Sequence, residues 1–373
     1  MTACPCCASR ETAHLLSTPP VPVHSCVLVR DARESLATPR RPIDLWHCAT
    51  CGFLWNISFD SSLIHYGPDY EGTQIFSPVF RAYLAQLGRD WIARYAPKAR
   101  QIVEAGCGQG EFLEVLAKVT TADLQGFDPA ARTLAGARFR ITATELPQGG
   151  EQADLVINRM TLEHVPDPLA FTRVQATWLA KGRTLISQVP HAARMIADHL
   201  TCDLLYEHVN YFTPTALSAL MIRARLAPLA PEITFDGQHL GMAATKDTPP
   251  ARAQTRAPVP TDFASAVAAF GPEWRARLTG LHSQGRAIWL WGAGSRATAF
   301  LAHLGTPGLV AGVIDINPNR AGSYVLGTEV MTHTPQAISG KSDIALIVMN
   351  PIYSDEIARN LQEIGTKAEI FAI

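Results

Sequence analysis

The chain has 373 residues, enough for two or three domains, and is 47% hydrophobic and 17% charged, the balance of a globular protein with sizeable cores. Its net charge of -1 and the absence of an Arg-rich run set aside nucleic acid as a default partner. No apolar run spans a bilayer and the opening MTACPCC lacks the charged-then-apolar pattern of a signal peptide, so the expected compartment is the cytoplasm, where clustered cysteines point to metal or catalysis before disulfides.

Residues 1–65 hold two CxxC pairs, Cys4 with Cys7 and Cys48 with Cys51. Each pair makes a tight knuckle whose sulfurs point the same way, and together they offer four thiolates to one tetrahedral zinc ion. Four protein ligands leave no open position, so the expected role is structural. Cys6 is surplus to this set, His24 or His47 is an alternative ligand, and a group of free buried cysteines is the plainer reading. Beyond the knuckles, Tyr66 and Tyr70 lie in a turn-rich stretch and serve either surface packing or a lid, since tyrosine offers both a ring and a hydroxyl. Ser77-Pro78 reads as a helix start, with Phe80, Leu84, Leu87 and Trp91 on one apolar face.

From residue 101 the pattern alternates. Strands are expected at 101–105, 123–127, 153–158 and 183–189, with helices at 110–118, 130–137 and 168–179 between them. This predicts an α/β domain over 66–245, a parallel sheet with helices on both faces. Its first strand runs into QIVEAGCGQG, where Gly106, Gly108 and Gly110 let a ligand approach the backbone at a strand–turn–helix junction. The second strand ends at Asp128 and the third at Asn158, with His164 just beyond, all at the edge where open α/β sheets bind ligands. On these residues alone an NAD-type dinucleotide fold stays open. Asp203–Thr213, DLLYEHVNYFT, crowds Tyr206, Glu207, His208, Asn210 and Tyr211 together, either as a solvated loop or as an acid–base cluster. A helix at 216–224 and antiparallel edge strands through Ile233 and 238–245 follow.

Residues 246–258 read as a linker and 259–283 as a long helix. A second α/β unit then begins, within a C-terminal domain spanning 259–373. Its first strand enters Gly292, Gly294 and Ser295 before a helix, and later strands end at Asp315, Asn317 and Asn350. A helix N-terminus beside Arg296 suits a diphosphate. A Rossmann-like lobe that binds nothing is the alternative.

The order EAGCGQG, FDPA, ADLVINRMTLEHVPDP resembles class I S-adenosylmethionine-dependent methyltransferases. The resemblance implies that the glycines face the methionine part of the cofactor, that Asp128 holds its ribose and that Glu104 lies near its ammonium, with Asn158 among the cofactor residues. Over nearly its full length, through the Cys pairs, the EH-VNYF segment, GAGSRATAFL and DINPNRAG, the chain resembles a divergent branch of the nucleotide-deoxysugar C-methyltransferases. That likeness implies a zinc-binding N-terminal module, a central Rossmann-like domain for S-adenosylmethionine, and a C-terminal Rossmann-like domain that grips a nucleotide sugar. It makes His208 the leading base, with Glu207 beside it and His164 near the reacting keto-sugar. Where the family has Tyr-His-Glu-His, this chain has Leu205, Tyr206, Glu207 and His208, so the tyrosine's role passes to Tyr206, Tyr211 or Tyr70. The expected partner is a small molecule, and the expected state a monomer or weak dimer. Oxygen or nitrogen methylation, and binding of a nucleotide sugar without turnover, are the alternatives.

Overall fold

A computed structural model describes residues 2–67, 69–131, 138–247 and 256–373. The central sheet has eight strands among the described residues. Its parallel part runs Leu179–Pro190, Ala153–Arg159, Gln101–Ala105, Asp123–Phe127, Arg140–Thr142, and His239–Thr245 pairs antiparallel with Leu179–Pro190 at the other side. Side chains alternate across these strands. Val103, Ala105, Val156 and Val189 pack with Leu169 and Trp178 of the helix Pro168–Trp178. Ile102, Leu124, Leu155 and Ile157 pack on the other face with Phe80, Leu84 and Trp91 of the helix Pro78–Tyr95 and Phe112 of the helix Glu111–Leu116. Ser77 caps the longer helix through Phe80 N, as its sequence foretells, and Thr213 caps Pro214–Arg223 through Ala216 N. The helix expected at 130–137 and most of the expected linker fall on residues 132–137 and 248–255, outside the described residues.

The C-terminal sheet is wholly parallel, in the order Thr332–His333, Gly312–Ile314, Ala287–Trp291, Ile344–Val348, Ala368–Ala372. Helices Thr261–Ser283 and Ser295–Leu304 cover one face through Leu278, Phe300 and Leu301, and Ser354–Glu363 covers the other through Ile357 and Leu361. No helix among the described residues is long and apolar enough to cross a membrane.

The N-terminal module does not stop at residue 65. Its four-stranded sheet runs Thr12–Ser17, Asp44–Cys48, Leu54–Asn56, and then takes Asn210–Tyr211 as its fourth strand. The strand that follows His208 is thereby fixed to the cysteine-bearing module. The same module docks on the C-terminal lobe: Ser35 Oγ bonds the carbonyls of Val325 and Thr328, and Arg30 bonds those of Asn319 and Ala321.

Candidate active site at the junction of three lobes

Gly106, Gly108 and Gly110 have φ of 71, 54 and 82°, the left-handed region that suits glycine. A Cβ on Gly106 would lie 2.3 Å from the Thr161 side chain, so that glycine is needed for packing. A Cβ on Gly108 would meet nothing within 4 Å, so its backbone faces open space where a ligand can approach. Asp128 ties this turn down, accepting from Gly108 N at 2.9 Å and Ala130 N at 2.8 Å, and each oxygen keeps a second lone pair. Glu104 is 2% exposed, and its Oε2 has no partner among the described residues. Burial pushes its carboxyl up to about 8, against the pull of Arg159. A buried, unmatched carboxylate beside an open glycine turn fits the ammonium and backbone approach that a methionine-derived cofactor requires.

Asn158 is turned to the face of Val156, away from Glu104. It is fully buried and donates its amide N–H groups to Gln175 Oε1 and Ser187 Oγ, both at 2.7 Å, while its Oδ1 has no partner among the described residues. Strand alternation instead gives the face of Glu104 to Arg159, whose guanidinium stacks 4.6 Å from the Phe112 ring centroid and donates to Gln188 Oε1. The period-two rule, applied from Ile157, was the signal that could have found it.

Beyond this strand end, residues from distant segments converge. Tyr66 Oη lies 2.7 Å from His164 Nδ1, and the Glu207 carbonyl oxygen lies 3.1 Å from the same nitrogen. A carbonyl only accepts, so Nδ1 carries the proton and Nε2 keeps its lone pair. The His208 ring stands edge-on to His164, with centroids 4.7 Å apart. Burial, with His164 beside it, holds His208 well below the usual imidazole range, so it is a neutral base at pH 7. Burial also lowers His164. Glu163, which sequence reading passed over, completes the group: its carboxylate lies within 4.8 Å of a ring nitrogen of each histidine, and burial raises it to about 8. It therefore holds a proton at neutral pH. With Glu163 protonated and the rings neutral, the group reads as a proton-sharing cluster.

The tyrosine assignment changes. Tyr206 Oη accepts from Asp60 N at 2.9 Å and donates to Ser58 O, deep in the N-terminal core. Tyr211 Oη is occupied by the backbone of Leu205, accepting from its N–H and donating to its carbonyl. Leu205 itself packs in the C-terminal core. Tyr66 is the tyrosine in contact with His164, and Tyr70 stands edge-on to it with centroids 5.0 Å apart. The Tyr66–Tyr70 segment is anchored by Glu71, whose carboxylate accepts from Asn317 Nδ2 and Asn319 Nδ2 and whose carbonyl accepts from Arg320.

At the far end of the N-terminal module the four sulfurs of Cys4, Cys7, Cys48 and Cys51 all lie within 4.8 Å of one another. The Cys4–Cys51 and Cys7–Cys48 pairs are 3.7 and 3.5 Å apart. Four thiolates at ~2.3 Å from one ion would be about 3.8 Å apart along the tetrahedron's edges, so the donor set fits. Cys6 and His47 are buried outside this group, and His24, half-buried, faces Glu207. Arg223 donates to the carbonyls of Pro5 and Cys6, and Thr213 to that of Cys51, tying the knuckles to the helix Pro214–Arg223.

Around the second glycine turn the charged and amide side chains are held by protein partners, while a Cβ on Gly294 would meet nothing within 4 Å, so the backbone of the turn stays open. Arg296 forms a two-pronged pair with Asp203, at 2.6 and 3.0 Å. Asp315 accepts from Ala293 N and Asn317 N, Asn317 holds Glu71, and Asn350 exchanges two hydrogen bonds with Gln238. Gly292, at φ 104°, and Gly294 shape the turn, and Ser295 opens the helix. Of the residues expected to grip a substrate, Arg296, Asn317 and Asn350 thus join lobes to one another, and Asp315 holds its own turn.

Residues 80–229 match the family model described as a methyltransferase domain, and residues 251–373 the one described as a C-methyltransferase C-terminal domain. Among curated proteins, the chain is similar to ubiquinone biosynthesis O-methyltransferases. The one from Cereibacter sphaeroides is 31% identical over 27% of this chain and 46% of the relative. Those from Dinoroseobacter shibae and Ruegeria pomeroyi are 27% and 33% identical, over 40% and 35% of this chain and 69% and 60% of theirs. The chain thus spans about half to two thirds of the length of these relatives. Among solved structures, an N-methyltransferase from Bradyrhizobium japonicum is 18% identical, with a TM-score of 0.34 over 47% of this chain and 98% of that one. Magnesium protoporphyrin IX methyltransferase from Synechocystis is 14% identical, with a TM-score of 0.37 over 45% and 84%. Residues 80–229 are a S-adenosylmethionine-dependent methyltransferase domain.

Proposed function

We propose that the protein methylates carbon beside the ketone of a nucleotide-activated keto-deoxysugar. The observation that carries this reading is the half-buried cluster of Tyr66, Glu163, His164 and His208 at the end of the central sheet, which combines a neutral base with protonated donors. S-adenosylmethionine, when bound, supplies an electrophilic methyl group. Its methionine part would lie over Gly106, Gly108 and Gly110 with its ammonium toward Glu104, and Asp128 would meet its ribose. His208 removes the acidic proton beside the ketone, and the Tyr66 hydroxyl and protonated Glu163 are donors for the oxyanion that develops. The C-terminal family described as a C-methyltransferase domain supports carbon as the acceptor atom. Four cysteines would hold a structural zinc ion that fixes the N-terminal module.

The names of the curated relatives favour a second reading, methylation of an oxygen. The same base would then deprotonate a hydroxyl. Incubation with S-adenosylmethionine labelled with ¹³C at the methyl and a panel of nucleotide keto-deoxysugars separates the two. Carbon methylation gives a new C–CH₃ resonance at the carbon beside the ketone. A methoxy resonance would establish the second reading, and no product with any sugar would set aside nucleotide sugars as the substrate class.

A further inference from the structure

Glu207 is 1% exposed, and its carboxylate is held by a different part of the chain from the one that carries it. Ser25 Oγ donates to Oε1, and His24 Nδ1 lies 3.6 Å from Oε2. Both come from the N-terminal module, and Ser25 is fixed in turn by Thr298 of the C-terminal lobe, whose hydroxyl donates to its carbonyl at 3.1 Å.

The other ring nitrogen decides what His24 offers. The backbone N–H of His65 donates to His24 Nε2 at 3.1 Å, so that nitrogen keeps its lone pair. The neutral ring must then carry its proton on Nδ1, the atom facing Glu207 Oε2. At 3.6 Å the two atoms are in ion-pair range, just beyond hydrogen-bond length, and neither has a hydrogen-bond partner among the described residues. A donor facing each of its two oxygens restricts the rotation of a carboxyl group.

We infer that His24 is a positioning residue for the proposed reaction: its Nδ1–H, with the Ser25 hydroxyl, fixes the Glu207 side chain and so keeps the Glu207 carbonyl on His164 Nδ1. The inference rests on the proton-transfer reading given above, and it makes the N-terminal module part of the active site rather than a distant cap. His24 acts through Glu207 and His164, not on the substrate. The titratable groups facing Glu207 are His24 and Cys26 from the module, Tyr66 and Tyr70 from the following segment, His164, and Tyr211.

The test uses the full-length protein with ¹⁵N-labelled histidine. Long-range ¹H–¹⁵N spectra report the tautomer of each ring, and loss of one signal set in His24→Asn assigns His24. The inference expects a bare Nε2 and a protonated Nδ1 in the neutral ring, with the His24 signals displaced in Glu207→Gln. A protonated Nε2, or signals indifferent to Glu207→Gln, overturns it. In the kinetic arm, on whichever keto-sugar the wild type methylates, His24→Ala lowers kcat about tenfold. KM changes little. His24→Asn, whose amide nitrogen can stand where Nδ1 stood, recovers most of the rate. Unchanged kcat in His24→Ala overturns the inference. Should the wild type methylate no keto-sugar, the reading of the reaction fails while the tautomer arm, which needs no turnover, still decides the role of His24. It decides too if His24→Ala does not fold.

Discussion

Affinity for S-adenosylhomocysteine should peak near pH 8 and fall on both sides, because Glu104 must be ionised and the ligand's amine protonated for the two to pair. Burial raises the Glu104 carboxyl to about 8, and an α-amino group titrates at ~8. Apparent affinity then scales as the product of the two charged fractions. Between pH 8 and pH 6 that product drops about 25-fold, nearly all of it from protonation of Glu104. Replacing Glu104 by Gln removes the acidic limb, and affinity should then rise slightly, by about twofold, over the same interval. Calorimetry in buffers of different ionisation enthalpy gives a second reading. At pH 7 about nine-tenths of Glu104 is protonated before binding, so the wild type should release close to one proton and Glu104→Gln none. A Glu104→Gln protein that keeps the acidic slope, or a wild type that releases no proton, would refute the placement of the ammonium at Glu104.

Other outcomes follow from the same geometry. Glu104 and Glu163 both sit near 8 in the folded chain, above the ordinary 4.5, so the folded state binds more protons than the unfolded one between those values. Stability of the ligand-free protein should therefore fall as pH rises from about 5 to 8, at about 1.4 kcal/mol for each unit of displacement. Glu163→Gln should flatten that fall in urea titrations at a series of pH values. Cys48→Ser should abolish binding of one equivalent of zinc, measured by elemental analysis, and lower Tm, since Cys48 pairs with Cys7 in the sulfur group. Tyr66→Phe should reduce kcat by about ten- to a hundredfold with little change in Tm. Tyr206→Phe should do the reverse: its hydroxyl bonds Asp60 N and Ser58 O, and losing it should cost about 1–2 kcal/mol in stability and leave kcat near wild type.

Local chemistry was legible wherever one segment dictates it. The glycine turn, its flanking strands and the capped helices are short-range consequences of apolar periodicity, glycine and Ser-Pro or Thr-Pro pairs, and they fall where the residues suggest. The paired CxxC spacing likewise brings four sulfurs together across a 41-residue interval. What segment-by-segment reading could not see was pairing between segments. Tyr66 meets His164 across 98 positions, and Ser25 meets Glu207 across 182. Composition could not say that Arg296 and Asn317, suited to a phosphate by type, would be consumed by Asp203 and Glu71. Asn158 is a different kind of miss, because its orientation followed from strand alternation and the burial of Val156 and Ile157 on opposite faces. Glu163 was hidden by ordinary expectation: a carboxylate after an apolar strand is usually solvated, and here it is buried.

The measurement that bears most directly on the account is solvent deuterium exchange at the carbon beside the ketone, with nucleotide keto-deoxysugars in D₂O. Wild type and His208→Ala are compared, each with S-adenosylhomocysteine present so that no methyl can move. The account predicts exchange in the wild type and a loss of at least about a hundredfold in His208→Ala, the usual worth of a positioned general base. Exchange that survives in His208→Ala at the wild-type rate would contradict the base assignment. No exchange with any keto-sugar, from a protein that binds the cofactor product tightly, would contradict proton removal from carbon as the reaction's first step.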